Sequence, residues 1–193
     1  MATPKILAFS ASPSRRSLND KIIRVAVRGA ADAGADVTHV SLADYDMPIF
    51  SVDLEDEIGM HENARAFKAL MMEHHGFLIS SPEYNGSVTG AFKNLIDWVS
   101  RSGDGNPGSA PFRGKYGAIL SGSPGGFGAV RSLDHARYIL ARLGVHIIPE
   151  NYPIDRADRK FNDDGTPADD KFRESVMAVG AALSRAIGLS LRA

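Results

Sequence analysis

The chain has 193 residues, of which 44% are hydrophobic and 23% are charged. This length predicts one domain over residues 1–193, and the composition excludes disordered, collagen-like and coiled-coil classes. A formal net charge of −1 gives no electrostatic drive toward nucleic acid or an anionic membrane, and the lack of cysteine excludes disulfides, thiolate catalysis and iron–sulfur clusters.

Short apolar runs alternate along the chain with longer segments of helical spacing. The runs at 6–9, 37–42, 77–79, 116–120 and 145–148 predict strands, and apolar residues recurring every three to four positions between them predict helices. Segment 44–59 predicts an irregular, mobile surface loop, and segment 101–111 predicts a second loop. Parallel strands need crossover helices, so the pattern predicts a three-layer α/β fold whose ligand site lies beyond the carboxyl ends of the strands.

The loop after the first predicted strand is rich in hydroxyls and guanidiniums. Because it precedes a helix, whose first N–H groups are free and carry partial positive charge, it is typical of a phosphate site. The alternative is that one side chain merely caps the helix. The loop matches neither GxxxxGK[ST] nor GxGxxG, which argues against a nucleoside triphosphate or a Rossmann-bound dinucleotide. Its candidate residues are Ser12, Ser14, Arg15, Ser17 and Asn19.

Two further loops follow the third and fourth predicted strands. The first of them offers an aromatic face, an amide and a glycine that lets backbone approach a planar heterocycle; its residues are Pro82, Glu83, Tyr84, Asn85 and Gly86. The alternative is a simple turn with Ser87 as the cap of the next helix. The second is Gly-rich, so its backbone N–H groups can surround a ligand's acceptors; its candidate residues are Ser121, Gly122 and Gly126.

These loops together resemble a known family. The pattern Ser12-x-Ser14-x-x-Ser17-x-Asn19, the segment Pro82-Glu83-Tyr84-Asn85-Gly86 and the later Lys93-Asn94-x-x-Asp97-Trp98 are similar to the NAD(P)H-dependent FMN reductase family, which includes quinone, chromate and azo-dye reductases. The resemblance implies a flavodoxin-like, five-stranded parallel sheet in the order 2-1-3-4-5. It also implies noncovalently bound FMN and a homodimer or homotetramer.

The resemblance also implies roles for the candidate residues. Ser12, Ser17 and Asn19 would hold the FMN phosphate, and Ser14 belongs to the same loop. The residues from Pro82 to Gly86 would contact the isoalloxazine and ribityl groups, and Ser121 with the glycines after it would close the opposite side of the ring. The family commonly has Gly-Ser-x-Arg in its first loop, whereas Arg15 comes one place later here. Contact of Arg15 with the FMN phosphate and contact with the nicotinamide cofactor therefore both stay open.

The predicted function is hydride transfer from NADPH or NADH through FMN to a small acceptor such as a quinone, a free flavin, an azo compound or a metal oxyanion. The alternative is a flavodoxin-type electron carrier that docks to protein partners, although carriers usually need a more acidic surface than −1 supplies. No catalytic acid–base residue and no metal are assigned, because the six histidines show no metal-binding spacing and His74 and His75 fit surface or capping positions.

Two expectations concern the cell and the choice of nucleotide. The first apolar run is too short for a signal peptide, and no segment approaches the ~18 apolar residues that span a bilayer, so a cytoplasmic location and no membrane partner are expected. Arg15, Arg16 and Arg101 are the candidate partners for the extra phosphate of NADPH.

Overall fold

A computed structural model describes residues 2–14 and 16–192. Five parallel strands form one sheet in the order β2-β1-β3-β4-β5, which confirms the predicted topology. The strands are β1 Lys5–Ser10, β2 Asp36–Ser41, β3 Gly76–Ser81, β4 Tyr116–Gly122 and β5 His146–Ile154. The helices are α1 Leu18–Asp32, α2 Val52–Ile58, α3 Glu62–Glu73, α4 Gly90–Val99, α5 Val130–Arg142 and α6 Asp170–Ser190.

The alternation of side chains along β1 explains the two apolar layers. Ile6 and Ala8 face one side of the sheet, where they pack with the apolar faces of α1 and α6. Leu7 and Phe9 face the other side, where they pack with α3, α4 and α5. Helices thus cover the parallel sheet on both of its faces, as such a sheet requires.

Two boundaries differ from the sequence prediction. Strand β5 continues past Pro149 to Ile154, because it lies at the edge of the sheet, where a proline that cannot donate a hydrogen bond is tolerated. The expectation of an irregular loop over 44–59 was wrong for residues 52–58. Helix α2 forms there because the Ser51 hydroxyl accepts a hydrogen bond from the Leu54 N–H at 3.1 Å and caps it.

The segment before α2 is fastened to α4. The Trp98 indole N–H donates to the Pro48 carbonyl at 2.8 Å, and Asn94 Oδ1 accepts from the Phe50 N–H at 2.8 Å. In residues 2–14 and 16–192, no helix has both the length and the apolar character needed to cross a membrane. The single domain over residues 1–193 stays a prediction.

Candidate functional site

Three loops meet at the carboxyl edge of the sheet, after β1, β3 and β4. The Ala11 N–H donates to the Ser80 carbonyl at 2.9 Å, which joins the first loop to the end of β3. The Thr89 hydroxyl donates to the Ala11 carbonyl at 2.5 Å and also accepts from the Phe92 N–H at 3.0 Å, so it caps α4 while holding the first loop. Thr89, and not Ser87, is the cap of α4. The loops are therefore joined before any ligand binds.

The first loop is a tight turn that leads into α1. The Ser12 hydroxyl accepts from the Ser14 N–H at 3.1 Å, and the Ser17 hydroxyl accepts from the Asn19 N–H at 3.1 Å as the cap of α1. Ser12 is buried and Ser14 is exposed. Arg15 lies outside the described residues. Helix capping and anion binding are compatible roles for this loop, because the end of the 15-residue helix that Ser17 caps also attracts an anion.

Asn19 ties the first loop to both neighbouring strands. Its side-chain amide donates to the Gly122 carbonyl at 2.9 Å, and its Oδ1 accepts from the Ser80 hydroxyl at 2.8 Å. Asn19 is 2% exposed and Ser80 is fully buried. The side chain that the sequence nominates as a phosphate ligand thus has internal partners on both of its polar atoms. Its visible role is to fix the spacing of the three loops.

The loop after β3 contains a tight reverse turn. Asn85 and Gly86 have φ values of 52° and 80°, and Tyr84 and Ser87 exchange backbone hydrogen bonds of 3.0 and 3.2 Å. An Asn-Gly pair in the left-handed region is typical of a type I′ turn, since both positions require positive φ. The Tyr84 ring beside it is 50% exposed. The turn reading is right for Asn85 and Gly86, and the exposed tyrosine is the feature that the turn alone does not explain.

Glu83 and Arg131 join this loop to the start of α5. Glu83 Oε1 accepts from the Arg131 guanidinium at 3.0 Å, and Glu83 Oε2 accepts from the Arg131 backbone N–H at 3.2 Å. The guanidinium also lies 5.1 Å from the centroid of the exposed Phe127 ring. Arg131 is not among the site residues predicted from the sequence. Its position in the first turn after a Gly-rich loop was the available signal.

Different physical demands fix the residues of the Gly-rich loop. The buried Ser121 hydroxyl donates to the Gly128 carbonyl at 2.7 Å, which closes the loop on itself. A Cβ on Gly122 would lie 2.3 Å from Ile22, and Gly128 has a φ of 59° and abuts the backbone of Ile154. A Cβ on Gly126 would meet nothing within 4 Å. Packing therefore accounts for Gly122 and Gly128, whereas Gly126 borders open space.

Two groups singled out in the sequence lie away from these loops. Helix α4 runs from the carboxyl edge of the sheet back toward the amino edge, so Arg101, which follows it, is remote from the site. Its guanidinium pairs with Glu55 at 2.7 Å. This position argues against Arg101 as a partner for the phosphate of NADPH. His74 is a buried cap of α3, with ring nitrogens 2.6 Å from the Leu70 carbonyl and 2.8 Å from the Thr38 hydroxyl. The described part of the chain contains no group of three or more His, Asp or Glu side chains able to hold a metal ion.

The strand order and the joined loops define a protein with the flavodoxin-like fold. A solved flavoenzyme, the NAD(P)H:(acceptor) oxidoreductase FerB of Paracoccus denitrificans, has the same fold with a TM-score of 0.77 at 24% identity, covering 96% of this chain and 98% of that one. Among curated proteins, an NAD(P)H-dependent FMN reductase of Pseudomonas aeruginosa is 35% identical over 89% of each chain. A probable NADPH:quinone oxidoreductase of rice is 33% identical over 89% of this chain and 83% of its own length.

The family model described as NADPH-dependent FMN reductase matches residues 4–159. The chain belongs to this family, and it is an oxidoreductase that uses FMN and NAD(P)H. The residues present fit FMN: hydroxyls and a helix N-terminus suit its phosphate, and an exposed tyrosine beside a glycine turn suits its ring.

Proposed function

We propose that the protein passes electrons from NAD(P)H through FMN to a small quinone-type acceptor. The observation that carries the proposal is the hydrogen-bonded junction of the three loops at one sheet edge, in a chain of the FMN reductase family. Quinone as the acceptor is supported by the names of relatives, which include the rice protein and a 2-hydroxy-1,4-benzoquinone reductase of Burkholderia that is 37% identical over 55% of this chain. Bound FMN supplies the two-electron chemistry, and the chain supplies binding and orientation.

The first loop binds the phosphate group in this proposal. Ser12, Ser14 and Ser17 offer hydroxyls at the positive end of α1, and Arg15 adds a guanidinium. Asn19 acts with them chiefly by fixing the loop, since its amide is held by Gly122 and Ser80. The site residues stay predictions until a complex is measured.

The other two loops bind the ring. Pro82, Tyr84 and the Asn85-Gly86 turn lie along one side, and the backbone N–H groups near Gly86 are suited to stabilise negative charge on the reduced ring. Glu83 holds this side at a fixed distance from the Gly-rich loop through Arg131. Ser121, Gly122 and Gly126 form the opposite wall. With both walls fixed in advance, NAD(P)H and the acceptor use the remaining open face of the ring in turn.

The decisive experiment adds NADPH or NADH without oxygen to the purified yellow protein and follows flavin absorbance. We expect bleaching within seconds in the absence of any partner reductase, and return of the colour when a benzoquinone is added. A flavodoxin-type carrier would keep its oxidised spectrum, and that result would overturn the proposal.

A matched pair of variants tests the ring site. Tyr84→Ala should weaken FMN binding about 3- to 10-fold, because an aromatic contact contributes roughly 0.5–1.5 kcal/mol. Tyr138→Ala is the control, since Tyr138 is a 73% exposed tyrosine on α5 rather than in one of the three loops. Equal FMN affinity in the two variants would contradict the role of Tyr84.

We also propose that the protein is a homodimer or homotetramer in which segment 48–58 or segment 101–111 reaches a neighbouring subunit's flavin site. Ile49 is 86% exposed and Val52 is 57% exposed, although the segment is held in place by Trp98, Asn94 and Arg101. Fixed, exposed apolar side chains are typical of contact surfaces. Light scattering that shows a monomer at micromolar concentration would refute this assembly. Action in the cytoplasm stays a prediction from the sequence.

A further inference from the structure

A polar cleft lies between α1 and the edge strand β2, on the flank of the first loop that faces away from the other two loops. Its volume is about 410 Å³. We call it the β2 cleft, and the lining residues used below are Ser10, Asp20, Arg24, His39, Ser41 and Asp44. The cleft is also lined by Ser12 and Ser14 of the first loop, so it adjoins the predicted FMN phosphate site, although none of the six residues above belongs to that site.

Two unpaired buried atoms mark this cleft as a ligand site. Among the described residues, the buried side-chain atoms without a hydrogen-bond partner are Ser10 Oγ and His39 Nε2, and both residues line the β2 cleft. Ser10 is only 5% exposed. His39 Nε2 lies 3.5 Å from Asp20 Oδ1, an approach that does not meet hydrogen-bond geometry. Buried polar atoms are nearly always paired, so two unpaired atoms on residues that line one cleft indicate missing partners.

The charges of the lining favour a neutral, hydroxylated group over a phosphate. Burial lowers the pKa of His39, and the nearby Asp20 carboxylate only partly opposes that effect, which favours the neutral imidazole. The Arg24 guanidinium is paired with Asp20 at 2.9 Å. Sugar hydroxyls both donate and accept, which matches a lining of hydroxyl, imidazole and carboxylate groups.

The position of the cleft decides which sugar can reach it. The predicted flavin ring lies between the loops that follow β3 and β4, whereas the cleft lies between β1 and β2, about 10 Å away at two strand spacings. In the proposed site the first loop would hold the FMN phosphate, so the ribityl chain would lie on the near side of that loop. A dinucleotide whose nicotinamide meets the flavin is long enough to pass the loop and reach the far side.

We propose that the β2 cleft binds the adenosine ribose of the nicotinamide dinucleotide, with Ser10 and His39 pairing with its hydroxyls. This proposal rests on the proposed function, because it assumes that NAD(P)H is the electron donor. It adds a binding subsite for the donor beside the first loop, on the side that faces away from the loops after β3 and β4.

The test measures binding without turnover. ADP-ribose, which carries the adenosine half of the donor, is titrated calorimetrically into the FMN-loaded protein and into its Ser10→Ala and His39→Asn variants. Each variant should raise the Kd for ADP-ribose about 5- to 10-fold, the usual effect of one lost hydrogen bond. The Kd for nicotinamide mononucleotide and the Kd for FMN should not change.

Stability gives an independent readout. Ser10→Ala removes an unpaired buried hydroxyl, so its free energy of unfolding should equal or exceed that of the wild type while ADP-ribose binding weakens. Ser184→Ala is the matched control, because the Ser184 hydroxyl is buried and bonded to the Ala33 carbonyl at 3.1 Å. That variant should lose stability and keep its ADP-ribose affinity.

The outcomes separate this proposal from the function on which it rests. An ADP-ribose Kd that is the same in wild type, Ser10→Ala and His39→Asn overturns the subsite, even if NADH bleaches the flavin normally. Loss of FMN affinity in place of ADP-ribose affinity overturns it too, by assigning the cleft to the ribityl chain. Tighter binding of 2′-phospho-ADP-ribose than of ADP-ribose overturns the preference for an uncharged ribose. A fourth outcome is that ADP-ribose binding depends on Ser10 but NAD(P)H does not reduce the bound flavin. That result supports the subsite and refutes the proposed function.

Discussion

Replacing Asn19 by leucine removes the side chain that joins the three loops while keeping its approximate volume. The substitution deletes the bond to the Gly122 carbonyl and the bond from the Ser80 hydroxyl. Both partners are buried, so neither gains water in exchange. The perturbation therefore leaves two polar groups unpaired in the interior.

The magnitude follows from these two losses. A buried polar group left without its partner costs about 1–3 kcal/mol, so Asn19→Leu should lower the free energy of unfolding by about 2–4 kcal/mol. For a chain of this size that corresponds to a fall in Tm of roughly 4–16 °C. Ser80→Ala alone should cost about 1–2 kcal/mol, because it leaves only Asn19 Oδ1 unpaired. The double variant should cost less than the sum by about 1 kcal/mol, since Ser80 no longer contributes an unpaired hydroxyl.

The assay is urea unfolding of the flavin-free protein, with FMN affinity measured in parallel by fluorescence. Asn151→Ala serves as the control, because the Asn151 side chain is exposed and bonds only to the nearby Pro149 carbonyl. A change of less than about 0.5 kcal/mol in Asn19→Leu would refute the reasoning. If FMN affinity falls while unfolding is unchanged, Asn19 acts by direct contact with the phosphate and not by fastening the loops.

Three further predictions concern stability and its dependence on pH. Lys68→Met should lower the free energy of unfolding by about 3–5 kcal/mol, because the fully buried Lys68 ammonium pairs with Asp104 at 2.6 Å. In the same urea titration, the control Lys93→Met breaks an exposed pair and should cost less than about 0.5 kcal/mol. Burial raises the pKa of Asp104, but hydrogen bonds from Lys68 and a neighbouring amide outweigh it and lower the pKa from 3.8 to about 2. The resulting stabilisation, about 1–2 kcal/mol, is present above pH 3.8 and disappears as the pH falls through about 2. If the free energy of unfolding of the wild type and of Asp104→Asn changes equally with pH across this window, this contribution of Asp104 is excluded. Gly128→Ala should lower Tm by several degrees because of its positive φ and a 2.8 Å clash with backbone, whereas Gly126→Ala should leave Tm unchanged; equal melting of the two variants would contradict the loop geometry.

Local sequence patterns predicted several features of the three loops. The run from Ser12 to Asn19 indicated both a helix cap and an anion site, and Ser17 does cap α1. A turn was the alternative reading of the loop after β3, and Asn85 and Gly86 do form one, since these residue types tolerate positive φ. Such features depend on neighbours in sequence, and a sequence displays those neighbours directly.

Contacts between distant segments were not predictable in the same way. Glu83 and Arg131 are 48 positions apart, and Asn19 and Gly122 are 103 positions apart, so no periodicity links either pair. The sequence indicated Arg101 as a partner for the NADPH phosphate. The direction of α4 instead places Arg101 at the amino edge of the sheet, beside Glu55. Charge and residue type alone do not show which edge of the sheet a loop occupies.

The alternation of strands and helices, the lack of thiol chemistry and the three loops with the family's motifs can all be recognised in the amino-acid sequence. The reason is that hydrophobic periodicity, helix capping and turn chemistry act within a few residues along the chain. Only the folded structure shows that Asn19 joins the three loops by hydrogen bonds and that Glu83 is paired with Arg131. It also shows that Ser10 and His39, which line one cleft, each carry an unpaired buried atom. Those properties arise from packing between distant segments, where burial removes the water that would otherwise pair each polar atom.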